Sequence, residues 1–208
     1  MSLRLWGNGA SRAFVVHWAL HELGLAYEKR LIGSRTGETQ TAEFLALNPA
    51  GKIPVLEDGE LVLSESAAIV TYLADTYGRE AQFAPPPGTA ARAKYYQWCF
   101  FAMTELDAQS LYIVHKHITL AHVYGESDGA VATAKETFVN QAARLEHELA
   151  DGRSWILGAE FSAADILLAH CTSWGDRYGL PLGDMLGDYL ERARGRNAYV
   201  AALNASNS

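Results

Sequence analysis

Two residue pairs, Ile53-Pro54 and Glu65-Ser66, stand where they could hold an extended acidic peptide. Pro54 opens an apolar strand, and a proline, which has no N–H to donate within a sheet, is confined to an edge, a strand start or a bend. If the Ile53-Pro54 bond is cis, the backbone of Ile53 turns outward and can pair with a peptide as an additional strand would. Glu65 and Ser66 open a helix, so a hydroxyl and free helical N–H groups are available there to a carboxylate.

These pairs need a scaffold, and the surrounding pattern predicts one built from short strands and helices. Asp58-Gly59 lies between two apolar pairs and predicts a tight hairpin turn. The helix that opens at Ser66 is expected to end near Gly78. Upstream, hydrophobic periodicity predicts a strand, a helix, a second strand and a short helix, over residues 3–6, 11–23, 26–31 and 42–47. The order βαβ followed by ββα is that of a thioredoxin-like domain.

A proline run at residues 85–87 divides a mixed α/β half from a half without a convincing strand. We therefore predict an α/β N-terminal thioredoxin-like domain over residues 1–80, a linker over 81–88, and an all-α helical-bundle domain over 89–208.

Three features are predicted within the helical half. Residues 89–124 are expected to form a long helix, and Ser162 followed by Asp165 predicts a capping box at the start of another. Cys99 and Cys171, the two cysteines of the chain, each lie in an apolar helical pattern. Buried thiols are therefore expected rather than a disulfide.

Composition excludes several classes of partner. The net charge of −7 is spread over both halves, and no basic patch indicates binding to nucleic acid or to an anionic membrane surface. No stretch approaches the roughly 20 apolar residues that span a bilayer, and the start lacks the continuous apolar segment of a signal peptide. We expect a cytoplasmic protein.

The two motifs together resemble the glutathione-binding half of the glutathione S-transferase family, in which N-P-x-G-x-x-P-x-L precedes E-S-x-A-I. The first motif is matched by Asn48, Pro49, Gly51, Pro54 and Leu56, and the second by Glu65, Ser66, Ala68 and Ile69. The helical half is also similar, since a capping serine or threonine followed three residues later by aspartate recurs in that family. The resemblance implies glutathione as co-substrate, a small hydrophobic electrophile as second substrate, and a homodimer.

In serine-type members of this family, a serine after the first strand donates to the glutathione sulfur. Ser11 stands at that place and is the expected catalytic residue. A free thiol titrates near pH 8.5, and a hydroxyl donor with helical N–H groups could lower that pKa by about one to three units. Ser11 could instead be only a helix cap, and Asn8 or the N–H of Ser11 or Arg12 could stabilise the thiolate.

The resemblance also assigns the glutathione contacts. Glu65 is expected to bind the ammonium of the γ-glutamyl end and Ser66 its carboxylate, with Ile53, held before Pro54, bonding the cysteinyl unit through its backbone. The contacts of the glycyl carboxylate do not follow directly from the resemblance, because Thr39 and Gln40 stand where plant-like members carry a basic pair. Its candidate ligands are Lys52, Gln40 and Arg35.

Histidines offer two further hypotheses. His17 and His21 are four residues apart, a spacing that suits a metal, but no third ligand is placed nearby, so we predict no metal and a solvated helix face. Tyr112 and His115 lie where the family forms its electrophile pocket, and they are the predicted pocket residues.

The expected function is that of a glutathione transferase. Alternatives are another glutathione-dependent reaction, such as dehalogenation, isomerisation or peroxide reduction, and a non-catalytic glutathione-binding relative. A thiol-disulfide oxidoreductase is disfavoured, since residues 10 and 11 are alanine and serine where a cysteine would be needed.

Overall fold

The computed structural model of the protein describes residues 3–207. The strands are β1 (Leu3–Trp6), β2 (Tyr27–Arg30), β3 (Val55–Asp58) and β4 (Leu61–Ser64). The helices are α1 (Ala13–Glu22), α2 (Ala42–Leu47), α3 (Ser66–Tyr77), α4 (Ala90–Phe101), α5 (Tyr112–His117), α6 (Ala121–Tyr124), α7 (Asp128–Glu148), α8 (Ala163–Arg177), α9 (Asp184–Arg194) and α10 (Asn197–Asn207). A 3₁₀ turn covers Glu38–Gln40, and a π-helical segment covers Ala102–Leu111.

The four strands form one mixed sheet in the order β2-β1-β3-β4. β1 pairs with β2 in parallel, while β1–β3 and β3–β4 are antiparallel. Asp58 pairs with Leu61 across the turn, and Gly59 takes a positive φ of 61° that a tight hairpin requires. The predicted thioredoxin-like order and hairpin are confirmed.

Helix α1 is the core of this α/β unit. Its residues 13–20 are all buried, because the helix packs against β1, α3 and α10. Tyr199 of α10 meets the rings of Phe14 and Trp18 edge-on, with centroid distances of 5.2 and 4.9 Å. Such edge-to-face aromatic contacts add to the stabilisation from burial itself.

The chain divides into two compact units, and the first combines both of its ends. This unit runs to Ala84 and also includes the chain from Arg194 onward, whereas Pro85–Ala193 forms the second. The sequence predicts one helical domain over all of 89–208; residue 208, like residues 1 and 2, lies outside the described residues. Helix α10 instead packs on α1, where the Arg196 guanidinium also binds Glu22, with Nη2 2.7 Å from Oε2.

The second unit contains α4 to α9, except for Arg194, the last residue of α9. At the start of α8, the Ser162 side chain and the Asp165 carboxylate form reciprocal bonds with the backbone, which confirms the predicted capping box. In residues 3–207 no helix is both long and apolar enough to cross a membrane.

The predicted long helix over 89–124 is interrupted. After α4 the backbone widens into the π-helical segment before α5 and α6 continue. Within it the Ser110 hydroxyl bonds the carbonyls of Leu106 and Glu105, at 2.5 and 3.1 Å. A hydroxyl that competes for the i−4 carbonyl favours such a departure from α-helical geometry.

Candidate functional site

Strand register brings the predicted site segments to one end of the sheet. Trp6 of β1, Arg30 of β2, Val55 of β3 and Ser64 of β4 form one row across it. The loop after β1, the segment before β3 and the turn into α3 therefore all adjoin this row, at one end of the sheet. Loops that converge at one sheet edge can together present backbone and side-chain groups to one ligand.

Gly7 allows the first of these loops to approach Ile53. A Cβ added at Gly7 would lie 2.6 Å from the Cβ of Ala13 and 3.2 Å from that of Ile53, and φ is 129°. A side chain would therefore meet both steric overlap and backbone strain. We call residues 7–12 the first loop, and it contains Asn8 and Ser11.

Ile53 presents an unpaired backbone at this end of the sheet. The Ile53-Pro54 bond is cis, and the Ile53 side chain packs against the apolar cluster of Trp6, Phe44 and Val55. Among residues 3–207, neither the N–H nor the C=O of Ile53 has a hydrogen-bond partner. These two groups are therefore available to an extended ligand, as in the addition of a strand.

The turn into α3 is strained and polar. Glu65 is exposed and takes a φ of 68°, which a residue with a Cβ rarely adopts. Such backbone strain often marks a functional position. Ser66 follows with 4% of its surface exposed, and its hydroxyl bonds no group in the described part of the chain. A carboxylate at this helix start could accept from the hydroxyl and from the first N–H groups.

Ser11 takes part in the local structure before α1. Its hydroxyl donates to the Asn8 carbonyl at 2.8 Å and accepts from the Ala13 N–H at 3.1 Å. Because a hydroxyl has one hydrogen, Ser11 can donate to a ligand only by turning that hydrogen away from the Asn8 carbonyl, while its oxygen keeps the cap-like bond from Ala13. The Asn8 side chain accepts from the Ala10 N–H at 3.2 Å through Oδ1. Its amide NH₂ meets no acceptor among residues 3–207 and is a second candidate donor.

Gln40 lies beside the loop that leads to Ile53. A Cβ at Gly51 would be 2.5 Å from the Gln40 amide nitrogen, which places these residues in contact. The Lys52 carbonyl is fixed by the Asn48 amide at 2.7 Å, while the Lys52 side chain is exposed. Arg35 is exposed on the loop after β2.

Tyr112 and His115 lie in the second unit. Their rings stack with centroids 6.4 Å apart, and His115 also meets Trp174 edge-on at 5.6 Å. The Tyr178 hydroxyl is 3.1 Å from both His115 Nδ1 and Thr119 Oγ1. Trp174 and Tyr178 are thus partners of His115 that sequence reasoning missed, since they lie about sixty residues away in sequence, with no local pattern to link them.

The predicted solvated position of His17 is wrong. Its exposed fraction is 0%, and its ring lies within hydrogen-bond distance of the Tyr27 hydroxyl (Nδ1, 2.7 Å) and the Gly7 carbonyl (Nε2, 2.9 Å). Burial lowers the pKa of His17 to about 4 and raises that of Tyr27 to about 12. The Gly7 carbonyl can only accept a hydrogen bond, so the neutral imidazole carries its proton on Nε2, which faces that carbonyl. The unprotonated Nδ1 then accepts from the Tyr27 hydroxyl.

His17 makes stability depend on pH. Its folded pKa of about 4 lies below the ordinary 6.5, so between these values only the unfolded chain binds the proton. Stability is therefore full above about pH 6.5, and we expect lowering the pH to 4 to remove about 3 kcal/mol through this residue. Tyr27, His21 and Lys29 surround the ring. Urea unfolding across this range measures the slope, and His17→Gln should flatten it; equal slopes would contradict the assignment.

Both cysteines are buried, and we expect neither to react in the folded protein. Burial raises the pKa of Cys99 to about 12, and the Cys171 Sγ donates to the Ala102 carbonyl at 3.6 Å. Because the thiolate is the reactive form, a thiol reagent such as DTNB should titrate no group rapidly in native protein and both after unfolding. Rapid labelling of native protein would contradict the structure. Within residues 3–207 no group of three His, Cys, Asp or Glu side chains is arranged to hold a metal.

Comparison with known proteins finds consistent relatives for both halves of the chain. Residues 1–75 match the family model "Glutathione S-transferase, N-terminal domain", and 128–202 match "Glutathione S-transferase, C-terminal domain". Glutathione S-transferase GstB of Escherichia coli (strain K12) is 35% identical over 174 residues, 80% of each chain. Glutathione S-transferase A of Pleuronectes platessa is 30% identical over 178 residues, 85% of this chain and 78% of that one.

A solved structure agrees with these sequence relatives. The theta class glutathione S-transferase of Xanthomonas axonopodis pv. citri, with glutathione bound, has a TM-score of 0.82 and 27% identity, and the match covers 97% of both chains.

Proposed function

This chain belongs to the glutathione S-transferase family, and on that premise we propose that it is a glutathione transferase, which activates the glutathione thiol for attack on small hydrophobic electrophiles. One observation supports this most directly. The unpaired backbone of Ile53 and the unpaired hydroxyl of Ser66 belong to segments that meet at one end of the sheet. A short acidic peptide needs both kinds of group.

Glutathione fits these groups in a single direction. The Ile53 N–H and C=O bond the cysteinyl unit, as the backbone of a neighbouring strand would. Ser66 and the first N–H groups of α3 bind the γ-glutamyl carboxylate, and the exposed Glu65 binds the ammonium of the same end. The glycyl carboxylate then lies towards Lys52 or Gln40.

The first loop supplies thiol activation. The bound thiol loses its proton to solvent, and a donor from the loop stabilises the sulfur anion. The sulfur then forms a bond to an electrophilic carbon, while the electron pair leaves with a displaced group or moves into a conjugated acceptor. The Ser11 hydroxyl is the proposed donor, and the Asn8 amide is the alternative.

Replacing Ser11 with alanine should raise the pKa of the bound thiol by about one unit, because a hydrogen bond to the anion is lost. Turnover at a pH at least one unit below the wild-type bound-thiol pKa should fall about tenfold, in proportion to the thiolate fraction. An ultraviolet difference titration of bound glutathione measures the pKa. Asn8→Ala is the comparison: a shift in that variant alone would assign the role to Asn8 and remove Ser11 from the mechanism.

A non-catalytic glutathione-binding protein is the second candidate. The observation that favours it is the Ser11 hydroxyl, which already donates to the Asn8 carbonyl. Binding of glutathione with an unshifted thiol pKa would support this alternative. Dehalogenation, isomerisation and peroxide reduction use the same activated thiol, and substrate profiling separates them from conjugation.

Family membership also supports a cytoplasmic homodimer with a role in detoxification. Phe100 of α4 is 66% exposed and stacks on Tyr96, a large apolar surface of the kind that subunit contacts cover. Tyr112 and His115 are the proposed side chains for binding the electrophile, since their stacked rings suit a flat apolar molecule.

A further inference from the structure

The first loop has no regular structure, so its position depends on a few tethers. Its backbone N–H groups bond three separate carbonyls: Gly7 to Arg30 at 2.9 Å, Asn8 to Ile32 at 3.1 Å, and Gly9 to Ser206 at 3.0 Å. On the acceptor side, the Gly7 carbonyl is held by a side chain, the imidazole of His17. This carbonyl is buried with its residue, so without that donor it would lack a partner.

His17 and Ile32 hold the two ends of one peptide group. The Gly7 carbonyl receives the His17 Nε2 proton, and the Asn8 N–H on the same peptide donates to Ile32. A planar peptide fixed at both ends cannot rotate. Asn8 carries one candidate donor, its side-chain amide, and its carbonyl, on the next peptide, accepts the Ser11 hydroxyl at 2.8 Å, so the position of Asn8 sets where both candidate thiol donors lie.

Tyr27 sets the direction of the bond. Its hydroxyl donates to Nδ1 at 2.7 Å, which leaves Nε2 as the protonated nitrogen facing Gly7. The imidazole therefore bridges β2 and the first loop as an acceptor on one side and a donor on the other. An apolar side chain of similar volume would fill the space without supplying either bond.

We propose that His17 is a positioning residue for thiol activation: its Nε2–H fixes the Gly7–Asn8 peptide and thereby the placement of the Asn8 and Ser11 donors. This inference rests on the proposed function. His17 does not touch the substrate, and its contribution is made through the loop.

The test compares His17→Met, which keeps the volume and removes the donor, with His17→Gln, whose amide nitrogen can replace Nε2. In His17→Met we expect the bound-thiol pKa to rise by about one unit, and kcat, measured at least one unit below the wild-type bound-thiol pKa, to fall about tenfold, with the KM for glutathione within about twofold. His17→Gln should recover most of the loss. Tyr189→Phe, which removes a buried bond to Asp165 in the other unit, is the control for stability loss alone.

Each outcome decides the proposal. Wild-type thiol pKa and kcat in a folded but destabilised His17→Met would overturn it, as would equal losses in Tyr189→Phe. If wild-type protein binds no glutathione, the proposed function fails and this inference fails with it. If wild-type protein lowers the thiol pKa and the His17 variants lower it equally, the inference alone fails. Should the variants not fold, ¹⁵N spectra of wild-type histidine still test it: we expect the Nε2–H tautomer, and an Nδ1–H tautomer would overturn the bond to Gly7.

Discussion

Replacing Asp165 with alanine is expected to lower the free energy of unfolding by about 4 kcal/mol, the largest loss from a single side chain described above. The carboxylate is fully buried and accepts four bonds: from the N–H groups of Ile156 and Ser162, both at 2.8 Å, the Ser162 hydroxyl at 2.7 Å and the Tyr189 hydroxyl at 2.9 Å. Its removal leaves these donors unpaired in the interior, where each lost partner destabilises the fold.

Urea unfolding followed by circular dichroism measures the loss. Asp151, an exposed aspartate that binds Arg153 at the surface, provides the matched control, and Asp151→Ala should leave stability almost unchanged. Tyr189→Phe removes a single donor, so it should destabilise less than Asp165→Ala. A loss below about 1 kcal/mol in Asp165→Ala would show that the carboxylate does not organise the start of α8.

The second large effect is on binding. Ser66→Ala should weaken glutathione binding by about 2 kcal/mol, or roughly thirtyfold in Kd, because a hydrogen bond to a charged carboxylate is lost. The Ser66 side chain is almost completely buried, so little water can replace the hydroxyl. Isothermal titration calorimetry with glutathione gives the affinity directly.

Ser64→Ala is the matched control for Ser66. Ser64 is the same residue type two positions earlier, but it pairs with Val55 in the sheet and precedes the helix start. Its replacement should leave the affinity within about threefold, less than 1 kcal/mol. Equal affinity for Ser66→Ala and wild-type protein would remove the start of α3 from the binding site.

The fold of the first unit could be predicted because its signals are local. Asp58-Gly59 allows a tight turn through the positive φ of the glycine, and Pro54 marks the entry to a strand. Both signals reside in neighbouring residues, and the strand register then follows. The motif spacing predicts Ile53 and Ser66 as contacts of one peptide ligand, and the strand register brings their segments to the same end of the sheet.

Long-range packing was not predictable in the same way. The contact between Arg196 and Glu22 joins residues 174 positions apart, and no local pattern links them. His17 did have a local signal: in a helix with apolar residues at 13 and 20, position 17 falls on the same face. The polar residue type predicts exposure to solvent, whereas hydrogen bonds at both ring nitrogens allow His17 to be buried.

The arrangement of α10 has a consequence for the order in which the molecule forms. Protein synthesis proceeds from the N-terminus, and the sheet with α1 is made long before α10. Until α10 arrives, the rings of Phe14 and Trp18 lack Tyr199, and the Gly9 N–H lacks the Ser206 carbonyl. The first loop, with Asn8 and Ser11, can therefore take its final position only after α10 has been synthesised and has packed on α1.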